Sequence, residues 1–357
     1  MAAILRHRVI RPQEERAATI GSFSRYILLL AFMSLSVAGV SGALAASVDP
    51  LEHLLGGNQR VGRMGSGSLL AAVPVTSGGS PSYPGPIPSP EGRPHERSLS
   101  FPSHPSITKQ IHEYAIKDLE GFQEMLDRAW IYLPVMKEIL DVLGAPSDLL
   151  AVVFVESRFR GHVSSGAGAS GFWQLMPKTA RTLGLRVDGY VDERFDPIKS
   201  TRAAAVYLLD LYEQFGSWEL ALAAYNAGDG AVREAMGRCR SSDFWVLWKK
   251  GALPKQTRRF VPKVLAAVEV LRNFQDYGLQ KPPYAPLWAF TTVWVHRPLT
   301  LSQASQWTGV PLEDLKRLNP ALRRGQIPQG TGYQLRLPPA AVETFLLAYE
   351  KFMNKRT

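Results

Sequence analysis

The sequence predicts a mainly α-helical protein that closes in a small β-α-α-β module, and three observations lead there. Between Ile107 and Phe274 apolar residues recur at three- and four-residue spacing, the period of a helix face. No β-hairpin signal of any strength interrupts that stretch. After Lys281-Pro282-Pro283 the texture changes to strand, helix, helix, strand, which marks a boundary.

Taken in order, residues 1–46 read as an export leader. Arg6, Arg8, Arg11, Arg16 and Arg25 face only Glu14 and Glu15, and a charge-free run from Tyr26 to Ala46 follows. Ala43-Leu44-Ala45 has the small-x-small form that signal peptidase accepts, so cleavage is expected near Ala45. The run is also long enough to serve, uncleaved, as a membrane anchor. Residues 47–105 are rich in Pro, Gly and Ser, cannot bury enough surface to fold alone, and read as a tether.

Residues 106–280 form the expected helical domain. Leu119, Phe122, Met125, Leu126, Ala129 and Trp130 make one apolar face, continued past Pro134 by Val135, Met136, Ile139, Leu140 and Leu143. Trp130 and Tyr132 are expected in the core. Ser147 is placed to cap the next helix, Leu149 to Val155, which is apolar on every side and therefore surrounded by its own domain. Pro177 opens a short helix. Asp196 and Ser217 are expected to cap helices over 198–215 and 218–226, and further helices are expected over 231–236 and 258–274. Residues 285–342 make the β-α-α-β module, with strands over 289–296 and 333–337. Residues 343–357 read as a terminal helix or tail.

The one acid of the buried helix, Glu156, comes at its end. Desolvation and the negative end of the helix dipole would both raise its pKa, and a carboxyl kept protonated near neutrality is a general acid. By itself such a glutamate more often marks a solvated helix end. The pattern around it decides otherwise. Glu156-Ser157, then Ser165, Gly168, Gly171, Trp173, Gln174, Met176-Pro177, and later Ala224-Tyr225-Asn226-Ala227-Gly228 stand in an order and spacing that resemble the lytic transglycosylases of the lysozyme-like superfamily, most closely the membrane-bound murein transglycosylase D type. The C-terminal segment with GVPLEDLKRLNP resembles a LysM domain, although His296-Arg297-Pro298-Leu299-Thr300 stands where a Gly-Asp-Thr turn is usual.

The resemblance implies a goose-type, all-helical lysozyme-like catalytic domain. It also implies a peptidoglycan glycan strand as substrate and cleavage of the MurNAc-GlcNAc β-1,4 bond without water, to give 1,6-anhydro-MurNAc ends. Glu156 is implied as the single acid and base, Ser165 as a residue near the N-acetyl group or the acid, Gln174 as the motif glutamine, and Tyr225 with Asn226 as the pair that positions the N-acetyl group. One departure stands in Gln256-Thr257-Arg258-Arg259-Phe260-Val261, where relatives often carry a glutamate and a tyrosine in place of Gln256 and Phe260. The loop Val191 to Pro197 holds three acids and is where a second catalytic carboxylate would be sought; a structural role is favoured. A hydrolytic muramidase on the same fold and a silent wall-binding scaffold are the competing readings.

The chain has 357 residues, a formal charge of +10 and one cysteine, Cys239, which rules out an internal disulfide. Such a basic protein outside the cytoplasm, in the periplasm or cell envelope, meets anionic wall polymer or membrane. Lys316, Arg317, Arg323 and Arg324 offer that attraction in the module. The basic residues are scattered without a nucleic-acid motif, so no nucleic acid is expected. No HExxH or Cys/His cluster suggests a metal, no cofactor is implied, and the protein is read as a monomer.

Overall fold

The structure is a computed structural model that describes residues 98–282, 289–330 and 332–354. The expected leader and most of the tether lie outside the described residues. The end of the tether does not hang free: Leu99 is fully buried and donates its amide to Asp148 Oδ2 at 2.8 Å. Arg272 joins the same carboxylate at 2.6 Å and also donates to the Leu99 carbonyl at 2.9 Å.

Helix α1 (Pro105–His112) starts with His104 accepting from the Ser106 amide and Pro105 in the first turn. A π-helical turn, Glu113–Lys117, leads to α2 (Leu119–Trp130), whose buried residues Phe122, Met125, Leu126, Ala129 and Trp130 are those of the sequence period. Pro134 falls in the first turn of α3 (Leu133–Val142), where no intrahelical donor is lost, and so splits the periodic stretch into two helices. Trp130 is core, as expected, whereas Tyr132 is only half-buried and meets Phe172 edge-on at 5.0 Å.

The chain enters the central helix by a 3-10 turn, Ser147–Leu150, before α4 (Ala151–Glu156). Ser147 is the first residue of that turn, with Pro146 in the cap position before it. The tighter turn thus begins one residue earlier than a helix capped by Ser147 would. Leu149, Leu150, Val152 and Val153 are fully buried, and each such side chain contributes about 1.5–3 kcal/mol of apolar burial.

A short α5 (Pro177–Thr182) precedes a 3-10 turn at Glu193–Phe195 and the long α6 (Pro197–Phe215). Asp196 caps α6 by accepting from the Ile198 and Lys199 amides, both at 3.0 Å, and Ser217 caps α7 (Trp218–Ala227) through the Leu220 amide at 3.2 Å. Helices α8 (Asp229–Cys239), α9 (Phe244–Lys249) and α10 (Lys255–Arg272) follow. Pro262 inside α10 cannot donate to the Arg258 carbonyl, and the Trp248 indole on α9 fills that role at 2.8 Å. Helix α10 packs against α1, α4 and α7, so the acid-bearing helix is enclosed from several sides.

In the C-terminal module β1 (Thr291–Val295) pairs antiparallel with β4 (Tyr333–Leu337), Val293 opposite Leu335. A second, shorter pair that the sequence did not announce joins β2 (Leu299–Thr300) to β3 (Gln326–Ile327). Between them stand α11 (Leu301–Thr308), held by a capping box of Thr300 and Gln303, and α12 (Leu312–Leu318). The terminal helix α13 (Val342–Asn354) is no tail. It supplies Phe345 and Tyr349 to the core built on Val293, Val295, Leu335 and Leu337, and the Tyr349 hydroxyl accepts from the His296 and Arg297 amides in the altered turn.

Candidate active site

Glu156 is the last residue of α4, after which Arg158 and Phe159 take left-handed backbone angles and turn the chain away. Its carboxyl is half-buried, and desolvation raises its pKa from 4.5 to about 7. Burial is the cause of that rise.

The loop from Ser164 to Leu175 is folded on itself by bridges of Ser164 to Ser170 and Ser170 to Leu175. Gln174 has a φ of 47° and donates its side-chain amide to the carbonyls of Val163 at 3.1 Å and Gly171 at 2.8 Å. It therefore locks the loop while remaining half-buried. Ser165 is exposed, and its hydroxyl accepts from the Ala169 amide at 3.0 Å. That is a turn-forming bond, and it leaves the hydroxyl proton to donate elsewhere.

Tyr225 reaches this loop from α7, donating its hydroxyl to the Trp173 carbonyl at 2.6 Å. Burial, and then the charge of the Glu156 carboxylate, push its pKa well above the usual tyrosine value. Asn226 follows on the same helix and accepts from Thr257 at 2.9 Å through its Oδ1, so its side-chain NH₂ is the donor available to a ligand. Of the residues singled out from sequence, Tyr225 thus bonds to the turn that carries Gln174 and feels the charge of Glu156, and Asn226 follows it on α7. Ser165 is exposed on the same loop as Gln174.

Two contributors were missed. Thr257, 1% exposed, orients Asn226; it stood inside the Gln256 to Val261 stretch, beside the two departures that drew attention. Arg194 is buried and donates to the carbonyls of Gly168 at 2.7 Å and Leu175 at 3.0 Å. Around it the three acids of the Val191 to Pro197 loop are all engaged. Asp192 pairs with Arg194 at 2.7 Å, Glu193 with Lys199 at 2.5 Å, and Asp196 caps α6 and pairs with Arg336 at 2.8 Å. Each has a structural partner.

A half-buried acid at a helix end stands with a phenol and an asparagine amide on a second helix and a glycine-rich loop, and residues 143–247 match the family model of the Transglycosylase SLT domain. Residues 289–352 match that of the lytic transglycosylase MltD LysM-like domain. In these two segments the chain is similar to lytic murein transglycosylases. Membrane-bound lytic murein transglycosylase D of Escherichia coli (strain K12) is 31% identical over 233 residues, which cover 64% of this chain and 50% of that protein. Soluble lytic murein transglycosylase of the same strain is 34% identical over 133 residues, 36% of this chain and 21% of its own. A crystal structure of lytic transglycosylase Slt from Pseudomonas aeruginosa aligns with 52% of this chain and 39% of its own, at 20% identity and a TM-score of 0.36. The chain spans half the length, or less, of these curated relatives.

Proposed function

We propose that this protein is a peptidoglycan lytic transglycosylase that uses Glu156 as its only acid and base. The observation that carries this is the contrast between Glu156, held to about 7, and the three acids of the neighbouring loop, each paired or capping. Glycoside cleavage with two catalytic carboxyls needs a second one aimed at the sugar, and with one alone the substrate must supply the nucleophile.

Protonated Glu156 gives its proton to the glycosidic oxygen, and the bond from that oxygen to C1 of the muramic sugar breaks. The N-acetyl carbonyl oxygen at C2 bonds to C1 and holds the charge, assisted by the Asn226 amide. Glu156, now ionised, takes the proton of the C6 hydroxyl, whose oxygen displaces the acetyl oxygen from C1. The result is a 1,6-anhydro ring, with the acid reprotonated and no water consumed. Gln174 and Tyr225 keep the loop and the acid in register throughout. The expected leader would deliver the enzyme to the envelope, where this substrate lies.

Mass analysis of fragments released from purified sacculi tests the reaction. Products lighter by one water than hydrolytic ones are expected; muramic acid with a free reducing end as the main product would instead make the enzyme a hydrolytic muramidase.

The pH dependence follows from the same group. The first step needs the protonated carboxyl, so kcat/KM on uncrosslinked glycan strands should hold steady below about pH 7 and decline above it. A profile that climbs through that pH would assign the first step to an ionised base.

A further inference from the structure

In sequence the C-terminal module resembles a LysM domain, either binding the wall or only packing on the helical domain. Its contacts take the second reading further. Val191, on the loop that precedes α6, is fully buried within the module's own apolar core. The same loop bonds to the module through its backbone: the Asp192 amide donates to the Ala321 carbonyl at 2.8 Å, and the Arg323 amide to the Tyr190 carbonyl at 2.9 Å. Arg323 lies over the Phe195 ring at 4.2 Å and Arg324 over Tyr190 at 4.9 Å. Arg336 on β4 meets Asp196 with two bonds, at 2.8 and 3.0 Å, and both side chains are under a tenth exposed.

Two of the four basic residues expected to draw the module to an anionic wall are therefore turned onto the helical domain. Lys316 and Arg317 pair with Glu313 and Asp314 on their own helix. A buried, two-bonded arginine and carboxylate tolerate little displacement, because separation leaves each charge uncompensated inside the protein. Burial acts to raise the Asp196 pKa, and Arg336, Lys199 and the capping amide outweigh it and hold the carboxyl below its ordinary range.

The other side of the same loop supports the active site. Arg194 holds the Gly168 and Leu175 carbonyls, and its own carbonyl is packed against Gly171, where an added Cβ would come within 1.8 Å of it. Those residues frame the turn that presents Gln174 and the Trp173 carbonyl to Tyr225. The Tyr190 to Asp196 segment is thus a layer with the module on one side and the catalytic loop on the other.

We propose that the LysM-like module is a brace for the active site, and that Arg336 is a positioning residue acting on the Ser164 to Leu175 loop through Asp196 and Arg194. Its effect on turnover rests on the transglycosylase reading; its effect on the loop does not. In the full chain, Arg336→Met removes the charge and keeps the stem, Arg336→Lys keeps the charge without the two-bonded fork, and Asp196→Asn breaks the pair while retaining an N-cap acceptor.

Two measurements test it. Hydrogen exchange is read at the amides of Ser170, Gly171 and Gln174, which are bonded within the loop, with α7 as the internal standard. Exchange there should rise about tenfold or more in R336M and D196N, with R336K between them and the parent and α7 unchanged. On short soluble glycan strands kcat should fall by about ten- to a hundredfold at nearly constant KM, the scale of a small misplacement of catalytic groups. R336K should recover part of it. Unchanged exchange in the Ser164 to Leu175 loop, or a loss confined to KM on whole sacculi, overturns the brace. If the parent chain releases no anhydro product, the transglycosylase reading fails while the exchange comparison still decides the brace.

Discussion

Glu156→Gln should lower turnover on sacculi by about 10²–10⁴-fold, the contribution of a general acid and base group, while leaving the protein at least as stable as the parent above pH 7. Both halves come from one carboxyl. Its pKa is 4.5 in the unfolded chain and about 7 in the folded one, so through that window the folded state keeps a proton that the unfolded state releases. The stabilising difference is complete below the unfolded value and is lost as pH rises through the folded one. Glutamine keeps the shape, carries no transferable proton, and has no ionisation to suppress. Thermal unfolding at pH 6 and pH 8 beside product formation separates loss of chemistry from loss of fold. A variant that turns over like the parent would move the acid elsewhere.

How far these features could be read in advance depended on how local their causes are. The starts of α6 and α7 were legible because Asp196 and Ser217 act on amides two or three residues away. The entry to the central helix was only partly legible, because a 3-10 turn precedes the α-helix and nothing in the residues alone distinguished the two turns. Helix α9 was missed: Phe244 to Lys249 is short, almost wholly apolar, and shows no period. In the site, Glu156, Gln174, Tyr225 and Asn226 stood out through motif spacing. Their supports did not, because Thr257 is 31 residues from Asn226, Arg194 is 26 from Gly168, and Arg336 is 140 from Asp196. A partner at that distance in sequence is set by tertiary packing, which no local pattern encodes.

Three glycines of one loop give the other large expected effect, and they rank themselves. At Gly166 an added Cβ meets nothing within 4 Å and the backbone is not left-handed, so Gly166→Ala should be near neutral, within about 0.5 kcal/mol. Gly168 also has open space around it but a φ of 91°, so alanine there carries only backbone strain of about 1–3 kcal/mol. Gly171 has both problems. Its φ is 80°, and the new Cβ would stand 1.8 Å from the Arg194 carbonyl oxygen and 2.6 Å from its carbon. Those are main-chain atoms, which cannot rotate aside as a side chain would, so the whole Ser164 to Leu175 turn must shift. We expect Gly171→Ala to lose about 3 kcal/mol or more, strain and overpacking together, and to lose most turnover, because the shift carries Gln174 and the Trp173 carbonyl away from Tyr225. Urea unfolding and kcat on the same three variants check the order. Gly171→Ala matching Gly168→Ala in both would mean that the loop is not seated against the Arg194 backbone as this structure has it.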